Sequence, residues 1–149
     1  MDKKDFLLSF LYANNNEPVD GTVKLMKELF LIQMKGNMPI VYNFEPYDLG
    51  PVSFQVYTDL KNLQKENLII EDKKRNFSTF SLSQIGINFI KEKFEALDNN
   101  IREKIIEVKK EFNKKNNNDL ILFVYRNYPK FTYRSKFKFE PRDDTRTFS

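Results

Sequence analysis

At 149 residues, with 40% apolar and 31% charged side chains, the chain has the size and proportions expected of one soluble domain with a core of its own. It holds no cysteine and no histidine, which excludes disulfides, thiolate chemistry, Cys/His zinc sites and imidazole acid–base catalysis. The net charge of +4 is spread as −2 over residues 1–51, +1 over 52–97, +2 over 98–128 and +3 over 129–149, so no strongly basic stripe marks a phosphate-binding face.

No apolar run approaches the roughly 18 residues that span a bilayer, and Met1-Asp2-Lys3-Lys4-Asp5 lacks a signal-peptide pattern. A cytoplasmic protein with no membrane partner is expected. Phe6, Leu7, Phe10 and Leu11 predict a helix over Lys4–Ala13, ended by Asn14-Asn15-Asn16, with residues 17–21 as a loop. Asp20 is the expected N-cap of a second helix over Thr22–Lys35. There Leu25, Met26, Leu29, Phe30 and Gln33 share a face, with Lys24, Lys27 and Glu28 elsewhere and Gly36-Asn37 closing the helix. Residues 38–44 are ambiguous, Ile40-Val41-Tyr42 reading as a short extended piece.

The most informative stretch is Phe44-Glu45-Pro46-Tyr47-Asp48-Leu49-Gly50-Pro51-Val52. Gly50 tolerates backbone angles that other residues resist, and Pro51 suits the first position of a helix, so a helix is expected from Pro51 to about Asn67. Val52, Val56, Leu60 and Leu63 form its apolar stripe. Tyr47, Gly50 and Pro51 are read as structural. Next come Leu68–Asp72, a basic turn Lys73-Lys74-Arg75-Asn76, and Phe77–Leu82, a β-hairpin pattern. Helix then hairpin, after two earlier helices, is the order of a winged helix-turn-helix.

These residues also carry a resemblance. Thr22–Phe30 resembles the Lys-Leu helix of the Panacea-domain proteins, the SocA-like antitoxins. Phe44–Val52, followed by Val56-Tyr57 and Leu60-Lys61, is similar to that family's aromatic, Gly-Pro-Val, Val-Tyr, Leu-Lys block, and to the YwgA-like proteins, in which Tyr-Asp-x-Gly-Pro is usual. The resemblance spans residues 6–97, and the Gly-Pro-Val to Val-Tyr spacing is its most specific part. Glu28 stands where an apolar residue or Lys is commoner, and Pro46 precedes Tyr47 where a small residue is often found; both lean toward the YwgA-like branch. The resemblance implies a winged-helix-like fold. It also implies direct protein binding, often neutralising or delivering a toxin, with no catalytic step.

Beyond the hairpin, Ser83 is the expected cap of a helix over Gln84–Leu97, and Asp98-Asn99-Asn100 a turn. Ile101, Ile105, Val108 and Phe112 define a further helix with Lys and Glu on its other face. Asp119 is the expected cap of a nearly all-apolar helix over Leu120–Tyr128, which is either buried centrally or part of a homodimer interface of the C-terminal helices. Phe131, Tyr133, Phe137 and Phe139 interleave with Arg134, Lys136 and Lys138, a pattern that binds single strands by stacking or packs its aromatics on the core. Disorder is expected over 140–149.

The expected fold is mainly α (α+β): a winged helix-turn-helix-like core with a two-stranded wing and additional C-terminal helices, one domain over residues 1–139. Turning Val56, Leu60 and Leu63 inward sets Phe54, Thr58, Lys61 and Lys65 outward at 100° per residue. An outward aromatic beside Tyr57 suits a protein contact, so Phe54, Tyr57, Thr58 and Lys61 are the candidate protein-binding residues. The ordinary alternative is that Phe54 packs against helix 101–113 or the C-terminal segment. For DNA, the second reading, the candidates are Ser53, Gln55, Lys73, Lys74 and Arg75. Glu45, Asp48 and Glu71-Asp72 read as caps and surface charges, so no enzyme, cofactor or metal is expected. A non-catalytic protein-binding module, with a partner protein that the resemblance makes a toxin, is the first hypothesis; a winged-helix DNA-binding regulator is the alternative.

Overall fold

The computed structural model describes residues 1–131. The elements in chain order are α1 (Lys3–Asn16), β1 (Val19–Asp20), α2 (Thr22–Lys35), β2 (Glu45–Tyr47), β3 (Gly50–Val52), α3 (Phe54–Lys65), β4 (Ile69–Lys73), β5 (Ser78–Leu82), α4 (Gln84–Glu95), α5 (Asn99–Phe112), α6 (Asn117–Asn127) and a single 3-10 turn, Pro129–Phe131. The described residues are mainly helical with two small antiparallel sheets, ordered β1-β5-β4 and β2-β3. Among the described residues no helix is long and apolar enough to cross a membrane.

Helix α1 is capped by Asp2, whose carboxylate accepts the Asp5 amide at 2.8 Å. Its helical dihedrals stop at Ala13, and Asn14, Asn15 and Asn16 follow with φ of 59°, 60° and 56°. Asparagine enters this left-handed region more readily than most residues. The Asn16 amide then clamps the backbone of Leu82 from both sides, accepting from its N–H at 2.8 Å and donating to its carbonyl at 3.0 Å. The asparagine run therefore ends the helix and ties it to β5. Val19 and Asp20 form a third strand, pairing Val19 with Phe80 and Asp20 with Thr79. They are not a loop, and Asp20 caps nothing: Gly21 is the N-cap of α2.

Helix α2 is the centre of the molecule. It is buried continuously from Lys24 to Gln33, with β1, β3, α5 and α6 around it. Lys24, Lys27 and Glu28 are thus not on an outer face, as amphipathic spacing predicts; a helix surrounded on all sides buries whatever it carries. The basic hairpin forms as expected, with Ile69 opposite Leu82 and Lys73 opposite Ser78. Ser83 caps α4, its Oγ accepting from Gly86 N at 3.0 Å. Asp98 caps α5, so Asn99 and Asn100 are helical rather than a turn. Asn116, not Asp119, caps α6, and accepts the Asp119 amide at 2.8 Å. Helix α6 packs on α2 through Leu120, Ile121, Val124 and Tyr125, which takes up the apolar surface that suggested a dimer.

The Gly-Pro stretch departs most from expectation. Gly50, Pro51 and Val52 are a strand paired with Glu45–Tyr47, and the helix begins at Phe54 behind the N-cap Ser53. Pro46 lies opposite Pro51. Two prolines can face each other only where an antiparallel ladder makes no hydrogen bonds, because neither has an N–H to give. The flanking pairs, Tyr47 with Gly50 and Glu45 with Val52, hold the ribbon. Two residues, Asp48 and Leu49, make the turn.

Candidate functional site: an aromatic face on helix α3

The ribbon β2-β3 is seated by Gly50. Its φ is +101°, and a Cβ there would lie 3.2 Å from Tyr125 Cε1 and 3.3 Å from Lys27 Cε. Lys27, buried in α2, reaches under the ribbon and donates to the Pro51 carbonyl at 3.3 Å. Its amine is pushed down to about 8 by burial. Behind the ribbon, Gln33 donates to Tyr42 O at 2.8 Å and accepts from the amides of Val41 and Tyr42 at 3.0 Å each. Segment 41–42, expected as part of a short extended piece, is instead a bend held by the Gln33 side chain. Tyr42 is fully buried, and its hydroxyl donates to Asp59 Oδ2 at 2.6 Å. Burial and that carboxylate push the phenol well above its ordinary value. Gln55 donates to Asp59 Oδ1 at 2.8 Å. Helix α3 is thus fixed to the core by Val56, Leu60 and Leu63 beneath and by Asp59 at its side.

What α3 presents outward is aromatic. Phe54 is 55% exposed and Tyr57 37% exposed. Phe54 meets Tyr47 edge-on, with centroids 5.2 Å apart, and lies 6.2 Å from Tyr57. Thr58 and Lys61 continue the exposed stripe along the helix. The four predicted protein-binding residues therefore do share one face. Phe54 is not packed away against helix 101–113; the C-terminal segment named beside that helix, the aromatic and basic stretch from Tyr133 to Phe139 and the disorder expected over 140–149 lie outside the described residues. Tyr47, expected to be only structural, is a member of the face. Its contact follows from the two-residue turn at 48–49, which a helix starting at Pro51 hides.

The nucleic-acid candidates do not converge in the same way. Ser53 is buried, so it cannot touch a base edge, because the chain turns from β3 into α3 beneath Phe54. Gln55 is engaged with Asp59. Lys73, Lys74 and Arg75 are exposed at the hairpin tip, but Lys74 pairs with Asp72 at 2.8 Å. Glu71 beside them accepts from Ser78 and Gln64, bonds that hold its carboxyl below the ordinary range. A charged carboxylate in the hairpin strand subtracts from the tip's pull on phosphate.

A second cluster has no counterpart in the sequence reading. Glu28 is fully buried in α2, and among the described residues neither of its carboxyl oxygens has a hydrogen-bond partner. Its pKa is pushed up to about 9, chiefly by burial and against the pull of Lys109 and Lys24. Lys109, from α5 and also fully buried, donates to the carbonyls of Leu11 and Ala13 at 2.8 Å each. These are the acceptors freed where α1 breaks. Lys24 donates to Asn113 O at 2.8 Å. The cluster joins α1, α2 and α5 in the core. Sequence gives one signal for it: a carboxylate in the middle of a helix that is otherwise apolar or basic.

A groove of about 730 Å³ opens near the start of α2, between β5 and the loop before α6. Lys24, Lys114 and Lys115 line it together with Asp20 and Glu71, so its charges largely cancel. No group of three or more acidic side chains able to hold a metal lies among the described residues. No protein-family model matches the chain, and no curated protein does.

Proposed function

We propose that the chain is a non-catalytic protein-binding module of winged-helix type, and that it takes its partner on the Tyr47–Phe54–Tyr57 face. The observation that carries this reading is Phe54, more than half exposed at the start of a rigidly seated helix and flanked by two further rings. Exposed aromatics clustered on a fixed scaffold are what interface anchors look like before binding, because they bring large area at small entropic cost. The winged-helix type is supported by the order α1-β1-α2, then, after the inserted ribbon β2-β3, α3-β4-β5, with β1 closing the sheet beside β5. The kinship proposed with SocA-like and YwgA-like proteins rests on the Lys-Leu helix and the Gly-Pro-Val block, and a toxin is the partner it suggests.

The test is a titration of the purified partner, captured and identified from the source cells, against wild type and variants. Phe54→Ala and Tyr57→Ala should each weaken the complex by about 1–2 kcal/mol or more. Equal affinity for wild type and both variants overturns the reading. The DNA-binding alternative is favoured by one feature, the exposed Lys73-Lys74-Arg75 tip. It is opposed by the buried Ser53 and by Glu71 and Asp72 in the same hairpin.

A further inference from the structure

Two exposed aromatic sites of the chain are built differently. Phe89 on α4 is as exposed as Tyr57, and two of the chain's own lysines cover it, Lys4 Nζ at 4.6 Å and Lys93 Nζ at 4.9 Å from the ring centre. Each lysine also meets a carboxylate, Glu66 at 3.0 Å and Asp5 at 3.6 Å. Ring, cation and anion are all present there. Among the described residues no cation lies over Phe54 or Tyr57. An anion is nonetheless in place beside them. Glu45 and Tyr47 are two apart on β2, so their side chains leave the same side of the ribbon, with Cα atoms about 7 Å apart. Tyr47 is the ring that meets Phe54. Glu45 is exposed, and it forms no ion pair among the described residues. Lys130, carried against β2 by the turn Pro129–Phe131, does not pair with it. Residues 36–60 carry Glu45, Asp48 and Asp59 and no lysine or arginine, and the first cation along α3 is Lys61, one turn beyond Tyr57.

We propose that the Tyr47–Phe54–Tyr57 face takes an arginine side chain of the partner protein, its guanidinium over the Phe54 ring and its charge met by Glu45. This rests on the reading of that face as a binding surface, and it names the chemistry of the group bound there. The face of an aromatic ring is negative, and it attracts a cation held within about 6 Å of its centre. A carboxylate at the rim adds an ion pair that the free protein leaves unmade. Arginine suits this arrangement better than lysine. Its planar guanidinium lies flat on a ring and is more weakly hydrated than an ammonium, so less is lost when it is covered. Its apolar stem also packs on the ring area around the contact. The matching partner surface is an exposed arginine with apolar neighbours, and an acidic partner surface is rejected.

The probe is an acetylated, amidated peptide with two arginines among alanines, titrated into the full chain and read by NMR on amide and ring signals. Matched peptides carry lysine, or citrulline as the uncharged shape-mimic, in place of arginine. The arginine peptide should shift Glu45, Tyr47, Phe54 and Tyr57 saturably and bind more tightly than the lysine peptide, with no saturable shift from citrulline. Phe54→Leu keeps an apolar side chain and removes the ring; it should weaken the arginine peptide about two- to fivefold and erase its preference over lysine. Glu45→Gln should weaken both cationic peptides. Phe54 and Glu45 are exposed, and unchanged signals elsewhere verify that the variants are folded. Equal binding of the three peptides, shifts centred on Glu71 and Asp72 instead, or an arginine preference kept in Phe54→Leu overturns the proposal. So do shifts of the same signals with protein concentration alone that vanish in Arg75→Ala, which would make the arginine that of a second copy. The partner titration separates this proposal from the reading beneath it. Partner affinity that falls in Phe54→Ala and is unchanged in Glu45→Gln keeps the face and overturns the arginine. Partner affinity unchanged in Phe54→Ala, with the arginine-selective shifts intact, keeps the arginine site and moves the partner elsewhere.

Discussion

At the residue scale, Gly50 sits where a side chain has neither a favourable backbone nor room, and Glu28 is an ionisable group held buried without a hydrogen-bond partner among the described residues. Gly50 combines a φ of +101° with Tyr125 and Lys27 at the place a Cβ would occupy. Gly50→Val should therefore destabilise the domain by about 1–3 kcal/mol through strain and crowding together. Urea denaturation checks it, and an unchanged midpoint would mean that the ribbon is not seated as described. Glu28 makes a pH prediction. Its folded pKa is raised from 4.5 to about 9, so folding favours the protonated form. The stability this provides is complete below the unfolded value and is lost as pH rises toward the folded one. From about pH 5 upward the wild type should lose about 1–3 kcal/mol relative to Glu28→Gln, the usual cost of a buried group left without partners. Lys27 and Lys109, both lowered to about 8, act in the opposite direction as pH rises from 8 toward 10.5. Lys27 is common to both proteins and drops out of the difference; the Lys109 amine, which Glu28 draws upward, does not, so the two curves are compared below the range in which Lys109 titrates. A wild type and variant with parallel stability–pH curves would contradict the assignment.

At the element scale, much of the fold is legible because apolar spacing decides it. Val56, Leu60 and Leu63 predict which side of α3 is buried, and the hairpin 69–82 follows from its alternation and its basic turn. What is hidden has a common cause: the element depends on partners far away in sequence. Val19-Asp20 is too short to announce itself and becomes a strand only because β5 lies beside it. Gly50-Pro51 fits both a helix start and a ribbon with paired prolines, and the choice is made by Lys27 and Tyr125 below. Gly86 looks like a flaw in a helix, yet a Cβ there would meet the Leu68 carbonyl at 2.2 Å, so it is where α4 docks on the hairpin. Lys109 reads as part of a solvated stripe and is instead the fastening between α5 and the broken end of α1. Lys109→Met keeps the stem and removes the donor. It should cost about 2–4 kcal/mol, since two buried carbonyls lose their charged donor. Thermal unfolding of the variant tests this, and a loss no larger than that of an exposed Lys110→Met control would refute the fastening role.

At the scale of the whole molecule, charge and aromatic surface are segregated. The basic residues of the hairpin tip share their strands with Glu71 and Asp72, while the start of α3 shows rings and no cation before Lys61. The candidate face was half legible: helical spacing turns Phe54 outward, but only the ribbon brings Tyr47 against it. The central claim is that this face, rather than the basic tip, is the binding surface. The most direct measurement is a salt titration against random-sequence duplex DNA of the wild type, Phe54→Ala, and a variant with Lys73, Lys74 and Arg75 all replaced by Ala. The account predicts no submicromolar duplex binding at physiological salt by any of the three. Submicromolar binding that falls with salt at a slope of about −0.9 per phosphate contact, is lost in the triple variant and is kept in Phe54→Ala, would contradict it.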